Sequence, residues 1–320
     1  PLGPSPLPIE AVSNILNGAH RYPDGNALRL KESISDKFKL DIRNLTIGNG
    51  SNDIIEFIAR SFLSNEDSAI YSEHAFAVYP LVVQAVGAEG IEVPARNFGH
   101  DLEAMKRAVK TNTKLIFIAN PNNPTGTFLK PNEIKSFLDD LDENIIVLLD
   151  QAYFDYSSYL NEDVGFELIN KYPNLIISRS FSKAYGLAGF RIGYSVSSKE
   201  ISDFLNRVRQ PFNANSVALI AAEVALSDED HLKKSLEINA NQESVLMKGI
   251  TDLGYDCIPS KGNFISFNSN GDGEKLFNAL LKEGVIIRTL GVYKMPNYLR
   301  VTIGLPEENS IFLDKLSSLS

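Results

Sequence analysis

Along residues 45–178, short apolar stretches alternate with longer ones in which apolar positions recur every three or four residues. Residues 45–47, 69–71, 91–93, 115–119, 145–149 and 175–178 have strand length. Helical spacing is found at 27–38, 54–62, 101–110 and 131–141, and a further helix is predicted to begin near Phe76. Apolar runs with little polar alternation belong to strands buried on both faces, and strands separated by helices become parallel neighbours. The pattern predicts an α/β fold: a mainly parallel sheet sandwiched by helices.

After residue 199 the pattern changes. Helical spacing fills 199–209 and 216–226, a long helix is predicted over 228–253, and strand 263–268, helix 273–282, strand 285–288, strand 298–303 and helix 307–316 follow. That order predicts a smaller α+β domain, with the long helix as the join. Residues 1–26, with PLGPSPLP and RYPDGN, are rich in proline and turn formers and read as an arm lying on something else. The predicted division is an amino-terminal arm at 1–26, a large domain at 27–228 and a small carboxyl-terminal domain at 229–320.

Ligands of open parallel sheets sit beyond the carboxyl ends of the strands. Strand 115–119 runs into NPNNPTG, a tight turn presenting Asn123, and 145–149 runs into Asp150 and Tyr153. Strand 175–178 runs into SRSFSKAYGLAGFRIGY, where Ser180 and Ser182 flank Lys183 and Arg191 follows. A carboxylate that ends a buried strand is costly without a cationic or hydrogen-bonding partner, and a protonated pyridine is such a partner. Hydroxyls and a guanidinium suit a phosphate, and a lysine amine suits an aldehyde held as a Schiff base. Together these point to pyridoxal 5'-phosphate. The turn GNGSND adds an anion site at a helix start through Ser51 and Asn52. Phe76 stands where an aromatic ring can face a ligand, and Arg300 in YLRVTI is placed to clamp a carboxylate or phosphate. Taken singly, each has an ordinary alternative: a solvated loop lysine, a helix cap at Ser51 or Asn52, a core phenylalanine, an ion-paired Asp150, an edge-strand arginine.

Composition narrows the partners. With 320 residues, 43% hydrophobic and 22% charged, the chain can build one large and one smaller core. A formal charge of -9 without clustered Lys and Arg argues against a nucleic-acid partner. No apolar run approaches the roughly 18 residues of a membrane span. Cys257 is the sole cysteine, which rules out an intrachain disulfide and a thiolate metal cluster and fits a reducing, cytoplasmic setting. The histidines lack metal-ligand spacing, so no metal is expected.

The stretches PLGPSP, RYPDG, GNGSND, EHAFAVYP, ANPNNPTG, DQAY, SRSFSKAYGLAGFRIGY, VRQPFN and YLRVTIGLPEEN together resemble the fold-type I pyridoxal-phosphate-dependent aminotransferases over essentially the whole chain. RYPDG and EHAFAVYP are similar to the histidinol-phosphate branch of that family. The resemblance implies amino transfer between a small-molecule donor and an oxo acid in histidine biosynthesis: histidinol phosphate and 2-oxoglutarate give imidazole-acetol phosphate and glutamate, reversibly. It gives Lys183 the cofactor attachment and the proton shuttle, Asp150 the pyridine nitrogen, Asn123 and Tyr153 the phenolic oxygen, and Phe76 the ring face. Ser51, Asn52, Ser180, Ser182 and Arg191 become the phosphate cup. Tyr22 of RYPDG would reach the cofactor phosphate of the other subunit, which implies a homodimer. Arg300 and Arg288 would bind the anionic end of the substrate, bordered by Tyr22 and Asn123. Asn52 departs from the acidic residue of the family motif, and the family carries a substrate-covering segment ahead of PLGPSP, the stretch with which this sequence begins. An aromatic-amino-acid aminotransferase or a threonine-phosphate decarboxylase on the same scaffold, and a non-catalytic cofactor-binding module, are the alternative expectations.

Overall fold

The computed structural model describes residues 1–158 and 165–319. Among them, seven strands form the main sheet: β1 (Leu45–Gly48), β2 (Ser68–Ser72), β3 (Glu89–Val93), β4 (Thr113–Ala119), β5 (Ile146–Asp150), β6 (Leu175–Ser180) and β7 (Gly193–Val196). Their order is β1-β7-β6-β5-β4-β2-β3, parallel from β6 to β3, with β7 antiparallel to both neighbours. Successive side chains of a strand point to opposite faces, and this sorts the apolar runs into two cores. Ile116 and Ile118 of β4, Val147 and Leu149 of β5, and Leu175 and Ile177 of β6 enter one core. Leu115, Phe117, Leu148 and Ile176, the residues between them, enter the other. All are buried, each side chain contributing about 2 kcal/mol on removal from water.

The register aligns the strand ends. Ala119 pairs with Asp150 and Asp150 with Ser178, while Gly193 of β7 pairs with Ser180 and brings Arg191 beside the end of β6.

A second sheet, antiparallel throughout, has the order β10-β11-β9-β8, from β8 (Cys257–Ile258), β9 (Phe264–Asn268), β10 (Arg288–Thr289) and β11 (Tyr298–Thr302). Ile265, Phe267, Leu299 and Val301 pack there with Leu246 and Ile250 of the helix Glu229–Asp252 and with Phe312 and Leu316 of the helix Pro306–Ser318. The helix Glu229–Asp252 is about 36 Å long. Its Leu232 and Leu236 pack beside Tyr153 and Ala184 of the main layer, so it touches both layers. No described helix is long and apolar enough to cross a membrane.

The structure departs from the sequence pattern in six places. Residues Pro6–Ile15 form a helix despite two prolines, because the first turn needs no amide from them and the Ser5 hydroxyl caps the Leu7 amide at 3.1 Å. β7 and β8 were not expected, since runs this short carry no periodicity. The strand expected at 285–288 reduces to Arg288–Thr289. The helix expected from residue 54 begins at Ser51, because Gly50 takes a left-handed φ of 84° immediately before it. The helix expected near Phe76 begins at Val78, which leaves Phe76 in the preceding loop.

Candidate active site

The carboxyl ends of β4, β5 and β6 open into a cavity of about 230 Å³. Asp150 ends β5 and is 5% exposed. Its Oδ2 accepts from the Tyr79 hydroxyl at 2.9 Å, and its Oδ1 accepts from the Ala152 amide at 3.1 Å and the Ser178 hydroxyl at 3.2 Å. Burial pushes its carboxyl above the ordinary 3.8, against the pull of those hydrogen bonds and of the Lys183 charge. Burial and the Asp150 charge push the Tyr79 hydroxyl well above its ordinary value, which keeps it a donor. A buried carboxylate held by neutral donors leaves an electrostatic demand for a cation in the cavity.

Lys183 follows β6 in a turn closed by the Gly186 amide on the Lys183 carbonyl at 3.0 Å. Gly186 has a φ of +69°, and a Cβ there would lie 2.4 Å from the Gly3 carbonyl oxygen, so the amino-terminal segment rests against the lysine turn. Lys183 Nζ stands 5.1 Å from the centre of the Tyr153 ring, which meets Phe264 edge-on at 5.2 Å.

Part of the cavity is built for an anion. Ser51 and Asn52, in the first turn of the helix Ser51–Phe62, line it together with Ser180, Ser182 and Arg191. First-turn amides have no partner within the helix and carry the positive end of its dipole. Arg191 Nη1 donates to Ser182 Oγ at 3.3 Å and to the Ala188 carbonyl at 3.0 Å. A Cβ on Gly50 would lie 2.4 Å from Arg191 Nη2, so the absent side chain is what admits the guanidinium to the helix start. An amine, a buried carboxylate and this donor set around one cavity fit pyridoxal phosphate.

The remaining candidates are placed unequally. Phe76 and Asn123 line the cavity, Phe76 with its ring edge-on to Tyr79 at 5.8 Å. Asn123 Oδ1 accepts from Arg300, whose guanidinium lies 4.8 Å over the Phe264 ring. Arg300 itself is outside the cavity lining, and Arg288, paired with it across the β10–β11 ladder, is exposed and also outside. Tyr22 is 81% exposed, stacked on Phe212 at 4.8 Å, and likewise outside it. Sequence reasoning missed Tyr79, Ser178 and Phe264. Tyr79 lies one helical turn beyond Phe76, and a hydroxyl inside an apolar helix was the available signal. Ser178 emerges only from the register with Asp150, and Phe264 only from contact between the two sheets.

The aminotransferase class I and II family model matches residues 8–316, and the chain belongs to that family. Among its relatives, histidinol-phosphate aminotransferase 1 of Idiomarina loihiensis is 50% identical over 319 residues, 100% of this chain and 87% of the relative. Histidinol-phosphate aminotransferase 2 of Pseudomonas fluorescens is 49% identical over 316 residues, 99% of this chain and 85% of the relative. The crystal structure of histidinol-phosphate aminotransferase from Sinorhizobium meliloti in complex with pyridoxal-5'-phosphate matches with a TM-score of 0.93 at 26% identity, over 99% of this chain and 89% of that one. The fold is that of the fold-type I transferases.

Proposed function

We propose that this protein is a pyridoxal-phosphate-dependent aminotransferase of histidine biosynthesis that interconverts histidinol phosphate and 2-oxoglutarate with imidazole-acetol phosphate and glutamate. The observation that carries the substrate is the 50% identity, across the whole chain, to a relative named for that activity. When bound, pyridoxal phosphate supplies an aldehyde that takes up the amino group and a protonated ring that draws electrons from the adjoining carbon.

In this reading Lys183 Nζ would hold the aldehyde and would move the proton at the substrate carbon. Asp150 holds the proton on the ring nitrogen, its carboxylate oriented by Tyr79, Ser178 and Ala152. Asn123 and Tyr153 orient the ring oxygen, and Phe76 covers the ring face. Ser51, Asn52, Ser180, Ser182 and Arg191 hold the phosphate. Arg300, fixed by Asn123 and lying on Phe264, takes the anionic end of the substrate, with Arg288 beside it.

The proposal includes a homodimer in which Tyr22 serves the other subunit's site, a role its 81% exposure outside its own chain's cavity supports. It includes a cytoplasmic setting and the division into an arm at 1–26, a large domain at 27–228 and a small one at 229–320, which the two sheets with their own cores support. The test is glutamate formation by cofactor-loaded protein from histidinol phosphate and 2-oxoglutarate, with phenylalanine as rival donor and carbon dioxide release from threonine phosphate measured alongside. Turnover of either rival with none of histidinol phosphate would replace the substrate.

A further inference from the structure

The four-stranded layer has two faces, and the one turned away from its own core holds Phe264, Ser266 and Arg300. Ile265, Phe267, Leu299 and Val301 fill that core, so by strand alternation the residues between them project to the other side. Phe264 packs there with Tyr153 and Ala184 of the main layer. Ser266 stands directly opposite Arg300 in the β9–β11 register and is buried. A hydroxyl in such a place is costly unless it finds an acceptor. It donates to the main-chain carbonyl of Pro124 at 2.6 Å.

That carbonyl belongs to the turn that presents Asn123. The turn is tied to the main layer through Asn122, whose Nδ2 donates to the His74 carbonyl and to Thr125 Oγ1, both at 2.8 Å. From the four-stranded layer it is met by Arg300 at Asn123 Oδ1, by Ser266 at the Pro124 carbonyl and by the Lys261 amide at the Gly126 carbonyl, the last at 2.8 Å. These contacts differ in kind. The Lys261 bond is main chain to main chain and lies three residues beyond Asn123. The Arg300 bond uses the Asn123 side chain, and an arginine that takes a substrate anion has to share or release it. Ser266 holds the residue next to Asn123, is buried and lies outside the cavity lining, so no ligand competes for its hydroxyl.

We propose that Ser266 is a positioning residue: by holding the Pro124 carbonyl it fixes the direction in which the Asn123 amide enters the cavity, whether Arg300 is engaged with Asn123 or with an anion. The proposal rests on the reading of the cavity as a pyridoxal-phosphate site with Asn123 at the ring oxygen. An amide N–H aimed at that oxygen favours its ionised form. A turn free to shift weakens the hydrogen bond and makes the oxygen easier to protonate.

The test uses cofactor-loaded protein without substrate and follows the visible absorbance of the bound cofactor against pH, reading the midpoint at which the band changes. Ser266→Ala removes the hydroxyl and is expected to raise that midpoint by about half a pH unit. Ile265→Val, on the same strand but facing the core of the four-stranded layer, is the control for lost stability and is expected to leave the midpoint in place. Asn123→Ala is expected to raise the midpoint further, and adding Ser266→Ala to it to change nothing more, because the positioned group is gone. A midpoint unmoved by Ser266→Ala overturns the proposal even if turnover falls. An equal shift in Ile265→Val overturns it too, as does a Ser266→Ala shift that persists in full in the Asn123→Ala background. If Ser266→Ala does not fold, Ser266→Cys, which keeps a weak donor, takes its place, with a smaller shift in the same direction expected and no shift overturning the proposal. Failure of the unaltered protein to take up the cofactor would overturn the reading of the cavity itself, whereas a bound cofactor with an unmoved midpoint overturns only the role of Ser266.

Discussion

Two concave regions among the described residues differ greatly in size, and the smaller one holds the candidate site. The larger, a groove of about 1150 Å³, runs between residues 96–103, 127–137 and 256–259. Its polar groups are mostly committed. Asp101 caps the Ala104 amide at 2.9 Å, Glu133 accepts from the Lys130 amide at 2.7 Å, and Glu103 pairs with Lys106 at 3.2 Å. His100 Nδ1 is buried without a partner, and burial keeps that ring neutral. In the cavity of about 230 Å³, by contrast, a buried carboxylate, an amine and a guanidinium at a helix start converge on one space. Electrostatic demand, rather than volume, singles out the candidate site.

Five substitutions break or sharpen this contrast. The largest effect belongs to Lys183→Ala, expected to abolish glutamate formation in cofactor-loaded protein, whereas Glu103→Gln in the groove changes the rate by less than about twofold. Next, Asp150→Asn is expected to lower turnover on the order of a hundredfold. It has a second signature. The folded carboxyl titrates above 3.8, so the cofactor-free protein has the associated stability at low pH and loses it as pH rises through that raised value. Asparagine has no charge to desolvate, and cofactor-free Asp150→Asn should melt higher than the parent at pH 7, with the gap closing toward pH 4. Equal melting temperatures at pH 7 would contradict the demand assigned to Asp150.

His100 gives the groove side its own signature. Burial holds it down to about 4, below the ordinary 6.5, so its contribution to stability is present above 6.5 and is lost as pH falls toward 4. The loss reaches about 3 kcal/mol, and His100→Gln should remove that part of the acid sensitivity, read from urea midpoints at pH 7 and 4.5. Among the changes at the cavity, the smallest effect is expected of Gly50→Ala. A φ of 84° and a methyl meeting the Arg191 guanidinium should weaken cofactor binding about tenfold, measured by titrating cofactor-free protein.

What the sequence revealed follows the same physics. Strands β4 to β6 were legible because burial on both faces leaves nearly uninterrupted apolar runs, and Asp150, Asn123 and Lys183 were legible because they break those runs at one end. β7 was not: its four residues carry no pattern, and its place depends on β1 and β6 pairing with it. Two adjacent asparagines show the limit within a motif. Asn122 is spent on holding the turn, through the His74 carbonyl and Thr125, while Asn123 lines the cavity, and nothing in their order distinguishes them. Tyr22 and Arg288 lie outside the cavity lining, a separation from Asn123 and Lys183 that nothing in the sequence pattern signals.

The placement of Asp150 on a strand rather than a loop makes its orientation a question of parity. Val147 and Leu149 face one core and Leu148 the other, so each residue added to or removed from β5 exchanges the two sets and turns the carboxylate to the opposite side. A second change in the same direction would restore the facing but move the carboxylate by about 7 Å along the strand. Length variation is therefore forbidden in β5 in odd and even steps alike, for two different geometric reasons, while the surface loops at its other end remain free to vary.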